Sequence, residues 1–223
     1  MKPSVMQVGL ALPNIIKQMQ DISLEPVELP FGKVIYQKKG LGVSSDSQAL
    51  YQAVSKAKAD FANALELGSG NGIVSLMLAA SRTKWQILGI DIQPKLVELS
   101  QQNAEICNLP CDFIVADLRV FRAAQKYEII FSNPPFFPLG QGRISPQSER
   151  AISRHELMCT MPDLLACIKR NLAPTGTAWI IYPQSRYREI VTISKKVDLL
   201  IADKKNLKQN AQVIVELKLD ITE

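Results

Sequence analysis

Two stretches of this chain carry residue types and spacings that suit chemistry. The first is Ala64-Leu65-Glu66-Leu67-Gly68-Ser69-Gly70-Asn71-Gly72, followed directly by Ile73 to Leu78. An apolar run holding one carboxylate enters a glycine-rich turn, and helical periodicity starts at once. That pattern predicts strand, tight loop and helix, the opening of a parallel α/β nucleotide-binding unit. Glycines let the backbone come close to a ligand, and the helix start presents free N–H groups. The spacing is G-x-G-x-G. A dinucleotide fingerprint needs a glycine at position 73, which is Ile73, so a pyrophosphate ligand is disfavoured. Asp91 closes the next apolar run, Ile87 to Ile90, and puts an acid where a ribose diol would lie. A glycine loop by itself is equally well a tight turn, and Asp91 tips the reading toward a ligand. The second stretch is Asn133-Pro134-Pro135-Phe136, behind the apolar run Glu128–Ser132. Its prolines stiffen the backbone and remove N–H donors. The bland alternative is a Pro-Pro turn that merely ends a strand.

Positioning these groups needs a regular alternation of strands and helices. Residues 1–30 read as an extension with a short amphipathic helix, Asn14 to Ile22. Phe31 to Lys39 predicts a hairpin or strand. Ser44 to Gln48 is a helix-start signal ahead of Ala49–Ala59, with Asp46 the expected cap. Strands follow at Gln86–Asp91, Cys111–Val115, Glu128–Ser132 and Thr177–Tyr182. Helices are expected at Pro94–Cys107, Ser148–Asn171 (with a break near Met161-Pro162) and Ser185–Lys195. Pro94 suits a first helical turn. Residues 137–146 have no period and read as a substrate loop. A strand Val197–Ala202, a basic turn Asp203–Gln209 and a strand Ala211–Leu219 end the pattern. The expected division is an extension over 1–30 and one catalytic domain over 31–223.

Composition narrows the class. With 223 residues and 47% hydrophobic content, the chain can bury a core without staples. A net charge of +5 permits a polyanionic partner without demanding one. Four scattered cysteines and one histidine, His155, make a zinc site improbable and read as buried thiols in a reducing compartment. No cleavable signal or membrane span is visible, so the expected address is cytoplasmic.

Taken together, Glu66, the three glycines and Asp91 resemble the class I S-adenosylmethionine-dependent methyltransferases. That resemblance implies a Rossmann-like, seven-stranded, mostly parallel sheet with an antiparallel last strand and helices on both faces. It implies S-adenosyl-L-methionine as cofactor, held by Glu66, Gly68, Ser69, Gly70, Gly72, Asp91, Ile92, Asp117, Leu118 and Asn133. Asp117 would meet the adenine amino group. Asn133-Pro134-Pro135-Phe136 resembles the [DNS]-P-P-[YFW] motif of methyltransferases acting on planar nitrogens. A heteroaromatic amine is a poor nucleophile because its lone pair is delocalised. Two acceptors, the Asn133 side-chain oxygen and the Pro134 carbonyl, would hold that nitrogen toward tetrahedral geometry, while Phe136 stacks on the base. No general base is needed before transfer.

The motif alone suits adenine N6, cytosine N4, guanine N2 or a protein glutamine amide. Gln37-Lys38-Lys39-Gly40, Asp46-Ser47, residues 65–76, Asn133–Phe136 and Arg154-His155-Glu156 together look like the tRNA adenine-N6 methyltransferases that modify the purine beside the valine tRNA anticodon. Residues 41–45 depart from the aromatic-containing stretch of that branch. The implied activity is methyl transfer to adenine N6 in tRNA. The alternatives are another planar nitrogen, in rRNA guanine or a protein glutamine, and a non-catalytic RNA-binding relative. Arg154, His155, Lys38, Lys39 and Arg143 are the candidate RNA contacts. Lys204, Lys205 and Lys208 read as the blunting of a sheet edge. The expected partner is tRNA, with no membrane, no metal and a monomeric chain.

Overall fold

Alternating apolar runs separated by glycine, proline and capping residues build a single parallel sheet with one reversed strand. The computed structural model describes residues 24–38, 43–134, 159–207 and 211–221. The amphipathic segment Asn14–Ile22, the loop 137–146 and the beginning of the helix expected from Ser148 lie outside the described residues.

A hairpin comes first. Strand β1 (Leu24–Leu29) pairs antiparallel with β2 (Lys33–Lys38) through a Pro30–Gly32 turn. The boundary expected at residue 30 therefore falls within this turn. Pro26 is accommodated because, among the described residues, β1 pairs on one side only. Helix α1 (Ser45–Val54) follows, and its cap is Ser44, whose side chain accepts from the Ser47 N–H. Asp46, expected as the cap, lies instead in the first turn, where its charge complements the helix dipole.

Next come β3 (Asn63–Leu67), α2 (Ile73–Ser81), β4 (Gln86–Asp91), α3 (Pro94–Cys107) and β5 (Cys111–Val115). After β6 (Tyr127–Ser132), helix α4 (Met161–Asn171) starts on a reciprocal capping box between Thr160 and Asp163. The chain finishes with β7 (Leu172–Pro183), α5 (Tyr187–Lys196), β8 (Leu199–Leu207) and β9 (Gln212–Leu219). The strand order is β5-β4-β3-β6-β7-β9-β8, parallel except for β9, which runs antiparallel to both of its neighbours. This is the expected seven-stranded sheet. The basic turn expected over Asp203–Gln209 is mostly strand. After a bulge at Ala202, Asp203 to Leu207 stay paired with Glu216 to Gln212, because an edge strand needs backbone partners on one side only.

Strand alternation sends side chains to two cores. Ala64, Ile129, Phe131, Trp179 and Ile181 pack under α1, α2, α3 and the hairpin. Leu65, Leu67, Ile130, Ile180 and Tyr182 pack under α4 and α5. Helices thus cover both faces, and the carboxyl ends of β4, β3 and β6 lie side by side. That edge carries the candidate site.

Candidate active site

The glycine loop begins where β3 stops. Gly68, Gly70 and Gly72 have φ of 68°, 55° and 71°, a left-handed backbone that favours glycine. Ser69 N–H donates to Ile90 O at 2.9 Å and Gly72 N–H to Ser69 O at 2.8 Å, so the loop is pinned to β4 and folded on itself. A Cβ on Gly72 would stand 2.7 Å from the Phe113 ring and 2.8 Å from Ser100 Oγ. The loop can lie this close to β5 and α3 only with glycine there. Gly72 is also the residue before α2, and it brings no side chain to cap that helix start.

Glu66 is 1% exposed, on the α1–α3 face of β3. Its Oε2 accepts from Ser75 Oγ at 2.5 Å and from Ser75 N–H at 3.2 Å. The carboxyl thus ties the strand to the helix across the loop. Burial pushes its pKa up to about 8, opposed by the Ser75 bonds and helped by nearby Asp91. Asp91, at the end of β4, accepts from Gly70 N–H at 2.7 Å and Gln93 N–H at 2.9 Å. Burial raises its pKa as well, against those hydrogen bonds. It joins the loops after β3 and β4 into one rim, with half-buried Ile92 beside it.

Asp117 and Leu118 open a turn after β5. The Arg119 guanidinium grips the Asp117 carboxylate with contacts of 2.6 to 3.0 Å and holds its pKa below the ordinary value. Arg170, from the last turn of α4, donates to Leu118 O at 2.8 Å and Phe121 O at 3.0 Å and fixes the turn from behind.

On the other side of β3, Ser132 Oγ donates to Leu67 O at 2.6 Å and locks the end of β6 to the end of β3. Asn133 and Pro134 come next, half-buried and buried. Asn133 Nδ2 donates to Ser47 Oγ at 3.4 Å, and Ser47 Oγ lies 3.0 Å from Ser44 Oγ. With the amide's donor end on Ser47, the group Asn133 offers is its carbonyl, an acceptor. Asp91 and Asn133 follow strands on either side of β3, so about 10 Å separates their strands.

The fold therefore brings Glu66, Gly68, Ser69, Gly70, Gly72, Asp91, Ile92, Asp117, Leu118, Asn133 and Pro134 to one edge of the sheet. Lys38 ends β2, where its backbone pairs with Leu24. Pro135, Phe136, Lys39, Arg143, Arg154 and His155 lie outside the described residues. Sequence reading missed Ser75, Arg119 and Arg170; Ser47 belongs to the Asp46-Ser47 stretch that the resemblance places at the border of the pocket, and its bond to Asn133 is what the structure adds. Ser75 had a signal: it is the one polar residue in the apolar start of α2, Ile73 to Leu78.

The polar groups of this edge fit an adenosyl donor. Ser69 Oγ and Gln93 Oε1 are buried without a hydrogen-bond partner among the described residues, an arrangement that suits a ligand or water. Gly68 and Gly70 have nothing within 4 Å of where a Cβ would stand and so leave room beside the loop, and Asp91 and Asp117 carry acceptor oxygens suited to hydroxyl and amino groups. Among the described residues, no group of three or more His, Cys, Asp or Glu could hold a metal ion. No helix among them is long and apolar enough to cross a membrane.

Comparison with known proteins bears on the family and the fold. The family model described as methyltransferase small domain matches residues 36–198. A relative from Aeromonas hydrophila, named tRNA1(Val) (adenine(37)-N6)-methyltransferase, is 33% identical over 138 residues, 60% of this chain and 57% of that protein. One of the same name from Shewanella loihica is 30% identical over 184 residues, 74% of this chain and 73% of that protein. The chain spans little more than half the length of several such relatives. Among solved structures, Methanocaldococcus jannaschii Trm5 in complex with adenosine superposes with a TM-score of 0.62 at 14% identity. The match covers 90% of this chain and 57% of that one.

Proposed function

The chain belongs to the methyltransferase small domain family, and from that premise we propose that it methylates the N6 of an adenine in tRNA. The relatives' names support the purine beside the valine tRNA anticodon as the target. The observation that carries the reading is the Asn133 carboxamide, held by Ser47 with its carbonyl on offer, beside a glycine loop tied to Asp91.

The bound donor, S-adenosylmethionine, supplies an electrophilic methyl group on a sulfonium. Asp91 and Ser69 orient its ribose and amino-acid portions, and the turn at Asp117-Leu118 receives the adenine. The target base leaves its stack and enters beside Asn133. Asn133 Oδ1 and the Pro134 carbonyl accept from the two N–H bonds of its exocyclic amine and aim the lone pair. Phe136 stacks on the base, a contact worth about 1–3 kcal/mol in single-stranded systems. Neutral acceptors suffice because the amine needs aiming rather than deprotonation, so catalysis is chiefly positioning. Lys38, Lys39, Arg143, Arg154 and His155 guide the RNA backbone. The chain acts as a cytoplasmic monomer.

Asn133→Ala is expected to abolish transfer while S-adenosylhomocysteine still binds in calorimetry. Ser47→Ala is expected to lower kcat about tenfold by releasing the amide, with donor KM unchanged. Near-normal turnover in Asn133→Ala would remove the mechanism. Nucleoside mass spectrometry of tRNA from cells lacking the protein should show N6-methyladenosine missing from one tRNA pool. Loss of a methylated guanine or of methylglutamine would redirect the substrate.

A further inference from the structure

We propose that Gln37 is a contact for the amino-acid end of the donor, reached through the β1–β2 hairpin. The side chain of Gln37 is fully buried, at 0% exposure, and among the described residues neither its Oε1 nor its Nε2 has a hydrogen-bond partner. A buried carboxamide with both ends unmet by the described residues is uncommon in a folded protein and suits a group that meets a ligand.

Its position follows from the way β2 climbs α3. Lys33 Nζ donates to Cys107 O at 3.0 Å, at the last turn of the helix. One turn earlier, the Asn103 carboxamide accepts from Tyr36 N–H and donates to Tyr36 O, both at 2.7 Å. Asn103 thus behaves as a short length of strand and fixes the height of β2 on the helix. One turn earlier still, Ser100 Oγ lies 3.4 Å from Gly70 O and is the atom that a Cβ on Gly72 would strike. The next residue of β2 after Tyr36 is Gln37, so the strand delivers it toward the level of the glycine loop. Burial alternates along β2, with Ile35 and Gln37 turned inward. Ile35 shares a core with Ile73, the first residue of α2.

The chemistry selects which end of the donor Gln37 meets. The ribose and adenine have acceptors in Asp91 and Asp117, at the ends of β4 and β5. The amino-acid end carries an ammonium and a carboxylate, which need one acceptor and one donor. Gln37 Oε1 and Nε2 supply that pair. The inference rests on the donor occupying the glycine loop.

The test compares two probes by calorimetry: S-adenosylhomocysteine, and 5′-methylthioadenosine, which lacks the amino-acid end. Gln37→Leu and Gln37→Met are expected to weaken S-adenosylhomocysteine about tenfold or more, the size of one hydrogen bond to a charged group. Binding of 5′-methylthioadenosine should stay within about twofold of the unsubstituted protein, since no hydrogen bond to it is removed. The ligand-free Tm should be unchanged or higher, since an unmet amide has been removed. Equal weakening of both probes, unchanged binding of both, or a lower ligand-free Tm in both variants would overturn the assignment. Failure of the unsubstituted protein to bind either probe would overturn the donor reading itself, a result distinct from a loss confined to the variants.

Discussion

Glu66 sits where a carboxylate is expected to face a ligand, yet its partner is Ser75, across the loop. Buried and raised from an ordinary value of 4.5 to about 8, it holds a proton in the folded state that the unfolded chain releases. Between those two values the folded protein binds more protons than the unfolded one, so stability falls as pH rises through the window. Asp91 contributes in the same sense. Urea midpoints measured from about pH 5 to about pH 8.5 should therefore decline with pH, and Glu66→Gln should flatten that decline. A stability that rose with pH over this window would show Glu66 to be ionised in the fold. The identity of Glu66 was legible in sequence, but its bond to Ser75 was not. Nine residues separate the two across a loop whose left-handed turns only the three-dimensional structure reveals.

At the scale of elements, the site depends on how closely strand ends, loop and helix starts approach one another. Gly72 allows that approach, because Phe113 and Ser100 occupy the space a Cβ would need. Gly72→Ala should cost at least about 1–2 kcal/mol from the left-handed backbone alone, with steric overlap adding to it. Chemical denaturation measures the loss, and S-adenosylhomocysteine affinity should fall with it. Helix and strand positions from β3 to β6 were readable because each apolar run is bounded by glycine, proline or polar residues. Two elements were less so. β8 continues through Asp203-Lys204-Lys205-Asn206, a run with the composition of a turn, because β9 supplies its ladder. β1 contains Pro26 and pairs with β2, a tertiary circumstance that local propensity does not encode. The Ser47–Asn133 and Arg170–Leu118 contacts join residues 86 and 52 positions apart, beyond the reach of any spacing rule.

For the whole molecule, the balance of 26 basic against 21 acidic residues gives a modest positive field rather than a strongly cationic surface. Binding to the proposed tRNA substrate should therefore weaken only moderately with salt, through few phosphate contacts. Replacing Lys38 and Lys39 by alanine should lower the slope of log K against log salt by ~0.7 to 0.9 for each phosphate left without its lysine. Filter binding across a salt series reads this directly. Lys204 and Lys205, on the sheet edge, serve as the comparison pair and should leave the slope unchanged.

The reversed strand has a consequence for how the molecule is made. β9 follows β8 in the chain, yet it lies between β7 and β8. Its first residue, Gln212, reaches Asp46 in the first turn of α1, with Nε2 3.4 Å from Oδ2. A polypeptide emerging from the ribosome amino end first carries β7 with one flank bare until Leu219, the last residue of β9, is clear. Through that interval the first turn of α1, which carries Ser47, lacks its contact with Gln212, so the surroundings of the Ser47–Asn133 bond are completed only once β9 has joined the sheet.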